Sequence, residues 1–156
     1  MLFARVIRLD ESDTNLFEPA AEPGEWAIPG TFEFANWTEA ELQGVAKIAF
    51  ENSWLGLESF GRASVVAVAD ITEAEMAALT ERLAGHFAAN YGAPDIEAAR
   101  PVARHEIDQM AAFCEGQPVN TLMIIARELD AQGVREKFRL VPPQGASIEA
   151  FAVHGD

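Results

Sequence analysis

RASVVAVADI (residues 62–71) is an almost continuous run of β-branched residues and alanines. A strand that lacks polar alternation is one buried on both faces, so this stretch is expected in the interior of a sheet. Val66 and Val68 then share one face, Val65 and Ala67 the other, and all four are expected in the core. Directly downstream, Thr72 and Glu75 form a capping box, and Met76, Leu79, Leu83, Phe87 and Tyr91 fall within one stripe. That spacing predicts a helix over 73–90, stopped at Gly92.

The flanking segments extend this strand–helix unit. Residues 2–9, LFARVIRL, read as a strand with Phe3 and Val6 inward and Arg5 and Arg8 outward. Residues 10–37 form a long irregular segment rich in Pro, Gly and aromatic rings. It is expected to hold one hairpin, EWAI and TFEF around a Pro29-Gly30 turn. A second capping box, Thr38 with Glu41, predicts a helix over 39–53. Another helix starts near Pro94 or Asp95, is interrupted or kinked at Pro101, and runs to about Glu115 before Gly116. NTLMIIARELD (120–130) reads as a strand, GVREKFRL (133–140) as a short helix or turn, and IEAFAVH (148–154) as a last strand. The order predicts a single α+β domain over 1–156, with about four to five mainly antiparallel strands and helices packed on one face. A regular parallel α/β fold does not fit, because no crossover helix follows the first strand.

Composition narrows the function. The 156 residues are 49% hydrophobic, with ten Phe and three Trp, enough for one hydrophobic core. Against 25 acidic residues stand 11 basic ones, a net charge of −14. Such a surface repels phosphate backbones and anionic lipids, so neither nucleic acid nor membrane is an expected partner. Arg5 and Arg8 interrupt the apolar N-terminal run, which removes a secretory signal, and no run approaches the ~20 apolar residues of a membrane span. The expected location is the cytoplasm.

Two near-motifs fail on their chemistry. GLESFGRAS (56–64) has glycines at the spacing of a phosphate-binding loop, but Arg62 and Ala63 replace the lysine and the hydroxyl, and the helix comes before the strand. Gly56 is instead expected to cap the helix ending near Trp54, and Gly61 to turn the chain into the next strand. HEIDQ (105–109) resembles a zinc-binding helix, but Gln109 stands where the second histidine belongs. The helical wheel turns His105 to solvent. Cys114, the only cysteine, shares an apolar face with Ile107 and Met110 and reads as an inert buried thiol. DESD (10–13) reads as a turn with solvated carboxylates, and His154 lies in a tail expected to fray. No metal and no cofactor are expected. A Ser59 or Ser64, His86 and Asp70 set lacks a nucleophile elbow.

RVIRLDESDTNLFEPAAEPGEWAIPGTF, FGRASVVAVA and PVNTL resemble an uncharacterised family of small acidic bacterial proteins carrying a domain of unknown function. The resemblance implies a complete single-domain protein and transfers no functional residue. Two classes of function survive. The favoured one is a non-catalytic binding or accessory protein, leaning away from catalysis, whose contact surface would use Phe17, Trp26, Phe32, Phe34 and Trp37. The bland alternative is that these rings close the core. The second class is a small-molecule enzyme or ligand-binding protein with a pocket at the sheet edge, where Arg62 or Arg8 meets an anionic ligand and His86 serves as base. Self-association as a homodimer through Glu18 to Trp37, or capture of a protein partner, is expected from an apolar yet acidic chain.

Overall fold

A computed structural model describes residues 1–143 apart from 36 and 39. The expected strand 148–154, and His154 with it, lie outside the described residues. The elements are β1 (Leu2–Ile7), α1 (Ser12–Leu16), β2 (Trp26–Ile28), a 3-10 turn (Thr31–Phe34), α2 (Gly44–Asn52), β3 (Trp54–Gly56), β4 (Arg62–Ala63), β5 (Val65–Asp70), α3 (Glu73–Asn90), α4 (Ile96–Cys114), β6 (Leu122–Asp130) and β7 (Gly133–Val141). The fold is α+β, with one seven-stranded sheet in the order β4-β3-β2-β1-β5-β6-β7, every neighbouring pair antiparallel. Seven strands replace the four to five expected, because β3, β4 and β7 come from segments read as helix end, part of a longer strand, and short helix or turn; β2 forms where the EWAI strand was expected.

The defining run 62–71 is two strands rather than one. At Ser64 the chain bends, and Asp13 from α1 holds the bend by accepting from the Ser64 N–H (3.1 Å) and hydroxyl (2.5 Å). Asp13 is therefore buried, which corrects the reading of residues 10–13 as wholly solvated. Asp10 does act as a local turn residue, accepting from the Ser12 N–H at 2.8 Å. Beyond the bend β5 takes its expected interior place between β1 and β6, with Val66 and Val68 fully buried, Ala67 nearly so and Val65 half-buried. Burial of a valine side chain contributes about 1.5–3 kcal/mol.

The sheet curls: the Trp54 ring of β3 lies 5.7 Å from the Phe138 ring of β7, although four strands separate them in the sheet order. Its β4 edge is covered by the segment 19–21, where the Arg62 N–H donates to the Pro19 carbonyl and the Ala21 N–H to the Arg62 carbonyl. Covering an edge this way removes a template for unwanted strand pairing.

The two long helices match the sequence well. α3 carries the Thr72/Glu75 capping box and spans the expected residues. α4 is capped by Asp95, which accepts from the Ala98 N–H, and continues through Pro101 as one helix. The two pack on each other, and α4 packs on β1 with Ala99, Ala103, Ile107, Met110 and Cys114 buried. His105 is exposed, as the helical wheel requires.

Three local expectations fail for identifiable reasons. The Thr38/Glu41 pair does form its side-chain hydrogen bonds, but Gln43 is extended, so the turn does not propagate and α2 begins only at Gly44. TFEF does not pair with β2; it forms the 3-10 turn. Residues 133–141 form β7, hairpinned to β6 through Ala131-Gln132 with Asp130 opposite Gly133. The charges of that stretch mask a period of two, in which Val134, Glu136, Phe138 and Leu140 share one face and Arg135, Lys137 and Arg139 the other. A small second core of Phe34, Leu42 and Phe50, with Trp37, Leu129 and Val134 against it, ties α2 and the 3-10 turn to the far end of this hairpin.

Candidate functional site

The two catalytic candidates, Arg62 and His86, meet at one carboxylate. Glu33, presented by the 3-10 turn, takes a hydrogen-bonded ion pair from Arg62 Nη2 and a 2.9 Å hydrogen bond from the Tyr91 hydroxyl. His86 Nε2 stands 3.7 Å from the same carboxylate. The Asn90 amide donates to His86 Nδ1 at 3.2 Å, which places the neutral ring's proton on Nε2. Phe60, in a left-handed backbone conformation at φ 57°, stacks flat on the imidazole at 3.8 Å. Burial holds the His86 pKa below its ordinary value, with Glu33 opposing only in part, so the imidazole is neutral at pH 7. Burial, reinforced by Glu33, pushes the Tyr91 phenol upward.

A second buried arginine reinforces this cluster. Arg127 of β6 donates to the carbonyls of Phe50 (2.8 Å) and Pro29 (2.5 Å), and its Nε reaches Thr31 Oγ1 and Glu136. Arg62 donates to the same Pro29 carbonyl and to that of Gly30. The Phe34 ring lies beneath both guanidinium groups, 4.7 Å from Arg62 and 5.5 Å from Arg127. Burial pushes Arg127 down to about 10, which leaves it charged at pH 7, and pushes Arg62 down as well, with Glu33 pulling the other way. The two cations thus pin residues 29–34 across the curled sheet. Arg62 and Tyr91 are both engaged with Glu33, whereas His86, only 13% exposed, faces the same carboxylate with its buried Nε2 lacking a hydrogen-bond partner. The arrangement clamps structure.

GLESFGRAS also holds an anion, but one supplied by the chain. Glu25, 4% exposed, accepts from the backbone N–H groups of Glu22 (2.6 Å), Glu58 (3.0 Å) and Ser59 (2.7 Å) and from the Ser59 hydroxyl (2.7 Å). Burial alone would raise its pKa; these hydrogen bonds outweigh it and hold the carboxyl below the ordinary value. Gly56 lies in β3 and caps no helix, which corrects the expected role. A Cβ there would come within 2.5 Å of Glu25 Oε1, and one at Gly61 within 2.6–2.8 Å of backbone atoms of residues 19–21. Both glycines are required by close approach of the chain to itself.

An open cleft of about 590 Å³ lies between α4 and β7, the strand at the other end of the sheet from β4. Pro29, Thr31 and Phe32 line it from the segment after β2, Phe138 and Glu136 come from β7, and Glu106, Gln109, Met110 and Phe113 recur at i, i+3, i+4 and i+7 along α4. Glu136 is occupied by Arg127 and by the Thr31 hydroxyl. Glu106 has no hydrogen bond or ion pair within the described residues. Burial raises its pKa, His105 offsets part of the rise, and Glu136 adds to it.

Of the five aromatic contact candidates, Phe32 alone lines this cleft, and it also packs edge-on against Phe87 and Tyr91. Phe17 and Phe34 are buried. Trp37 packs edge-on against Phe34, and Trp26 packs edge-on with Phe3 under the Arg5 guanidinium, lining a separate groove with Glu58, Glu75 and Arg82. Arg8 reaches the Ala21 carbonyl at 2.6 Å. Sequence reasoning passed over Glu106, Phe113, Glu136 and Phe138. The signal for Glu106 was its place beside Ile107 on the buried stripe of α4, where a lone carboxylate is out of keeping with its neighbours.

No group of three or more His, Cys, Asp or Glu suited to a metal ion occurs among the described residues, and no helix there is long and apolar enough to cross a membrane. No curated protein and no solved structure matches this chain. Along residues 1–156 it matches, and belongs to, a family of unknown function, DUF6505.

Proposed function

We propose that the protein is a non-catalytic binding protein whose ligand site is the cleft between α4 and β7. The observation that carries this reading is the cleft itself. Its volume of about 590 Å³ lies in the range of small-molecule sites, about 300–1,000 Å³, and apolar rings with a few polar groups line it. It joins both classes left open by the sequence, since it sits at a sheet edge and draws Phe32 from the aromatic segment. The clamp around Glu33 supports the non-catalytic half, because Arg62 is bound to Glu33, His86 is buried beside it, and neither lines this cleft.

Titration with Nile red, an uncharged dye that brightens in apolar surroundings, tests the site. Ala112 is exposed and lines the cleft, so Ala112→Trp fills it without disturbing the core. Saturable binding to the wild type, weakened tenfold or more in Ala112→Trp at unchanged Tm, is the expected result. Equal binding by both proteins, or no saturable binding, would overturn the assignment.

A further inference from the structure

We propose that the occupant of this cleft is a small organic cation, an ammonium or amidinium head on an apolar body, with the head at Glu106 and the body among Phe32, Met110, Phe113 and Phe138. The inference rests on the cleft being the ligand site and adds the chemistry of what fills it. Two carboxylates line the cleft, and they are not equivalent. Glu136 already has the Arg127 guanidinium at 3.1 Å, whereas Glu106 makes no hydrogen bond or ion pair within the described residues.

The choice among ligand charges follows from that asymmetry. An anion would enter beside two carboxylates on a chain of net charge −14 and be repelled. A neutral apolar ligand would strip water from Glu106 and leave it unpaired, which costs free energy that no new contact returns. Glu106 already sits above the ordinary carboxylate range through burial, so further desolvation without a counter-charge would disfavour its charged form still more. A cation reverses each of these effects: it restores the lost solvation through a charge-assisted hydrogen bond. A divalent metal ion finds too few ligands: no three His, Cys, Asp or Glu come together among the described residues, and of the carboxylates lining the cleft Glu136 is already engaged. Gln109, one turn along α4 from Glu106, supplies a carboxamide oxygen for a second N–H of the head.

Three probes of one shape separate the possibilities: 2-naphthylmethylamine, 2-naphthylmethanol and 2-naphthoate, each titrated calorimetrically into the full-length protein at pH 7. The expected order is amine, then alcohol, then carboxylate, with the amine at least tenfold tighter than the alcohol and its advantage falling as salt is added. Glu106→Gln should remove most of that tenfold while leaving alcohol binding intact, and Ala112→Trp should weaken amine and alcohol together. Alcohol as tight as amine, or an amine preference undiminished in Glu106→Gln, would overturn the cation and leave the cleft standing as a neutral site. Failure of all three probes to bind would overturn both readings.

Discussion

Replacing Glu25 with alanine should cost about 2–4 kcal/mol of folding stability. The side chain accepts from two backbone N–H groups and one hydroxyl inside the 56–61 loop and from the Glu22 N–H, at 2.6–3.0 Å. A buried donor left without an acceptor costs about 1–3 kcal/mol. Glu58 and Ser59 are themselves exposed, so water can reach part of the vacated loop and the cost stays below the simple sum. For a chain of this size that corresponds to a fall in Tm of roughly 5–15 °C. The pH dependence gives a second handle. Because the folded-state pKa of Glu25 is held below its ordinary 4.5, its contribution is complete above that value and is lost as pH falls through the folded value. Glu25→Ala should therefore differ most from the wild type near neutrality and converge on it in acid. Urea unfolding at pH 7 and at pH 3–4 measures both. A variant within ~0.5 kcal/mol of the wild type at pH 7, with the same acid limb, would refute the view that this loop is built around its own carboxylate.

Val66→Asp places a charge on the fully buried centre of β5 and should cost about 3–5 kcal/mol, seen as loss of soluble protein or collapse of the melting transition; a wild-type melt would contradict the interior placement of that strand. Cys114 is buried, and burial pushes its thiol up to about 12, so it should resist Ellman's reagent at pH 8 in the native protein and react fully in guanidinium chloride. Rapid labelling of the native protein would contradict the packing of the α4 C-terminus.

The parts of the fold legible in sequence were those with strong local signals. α3 announces itself by a capping box and a stripe, and both form. β6 reads from its apolar run. What was not legible depended on distant partners. Nothing local marks Ser64 as a bend, because the bend is held by Asp13, 51 residues away in sequence. β3 and β4 are three and two residues long, too short for periodicity to register. β7 was hidden by charges on its outer face. The site followed the same rule. Arg62 and His86 drew notice as residue types, yet only the curl of the sheet and the 3-10 turn bring both to Glu33, and there they brace the fold. Glu106 drew none, because its meaning comes from Phe138 and Glu136 on a strand about thirty residues downstream.

The central claim, that the α4–β7 cleft is where this protein binds its ligand, is tested most directly by amide chemical-shift mapping of the 15N-labelled full chain during titration with 2-naphthylmethylamine. The account predicts saturable shifts concentrated at Thr31 and Phe32, at Glu106 to Phe113 on α4 and at Glu136 to Phe138 on β7, with the groove beside Trp26 unaffected. Shifts centred on Trp26 and Arg5, shifts that follow no common binding curve, or none at all would contradict it.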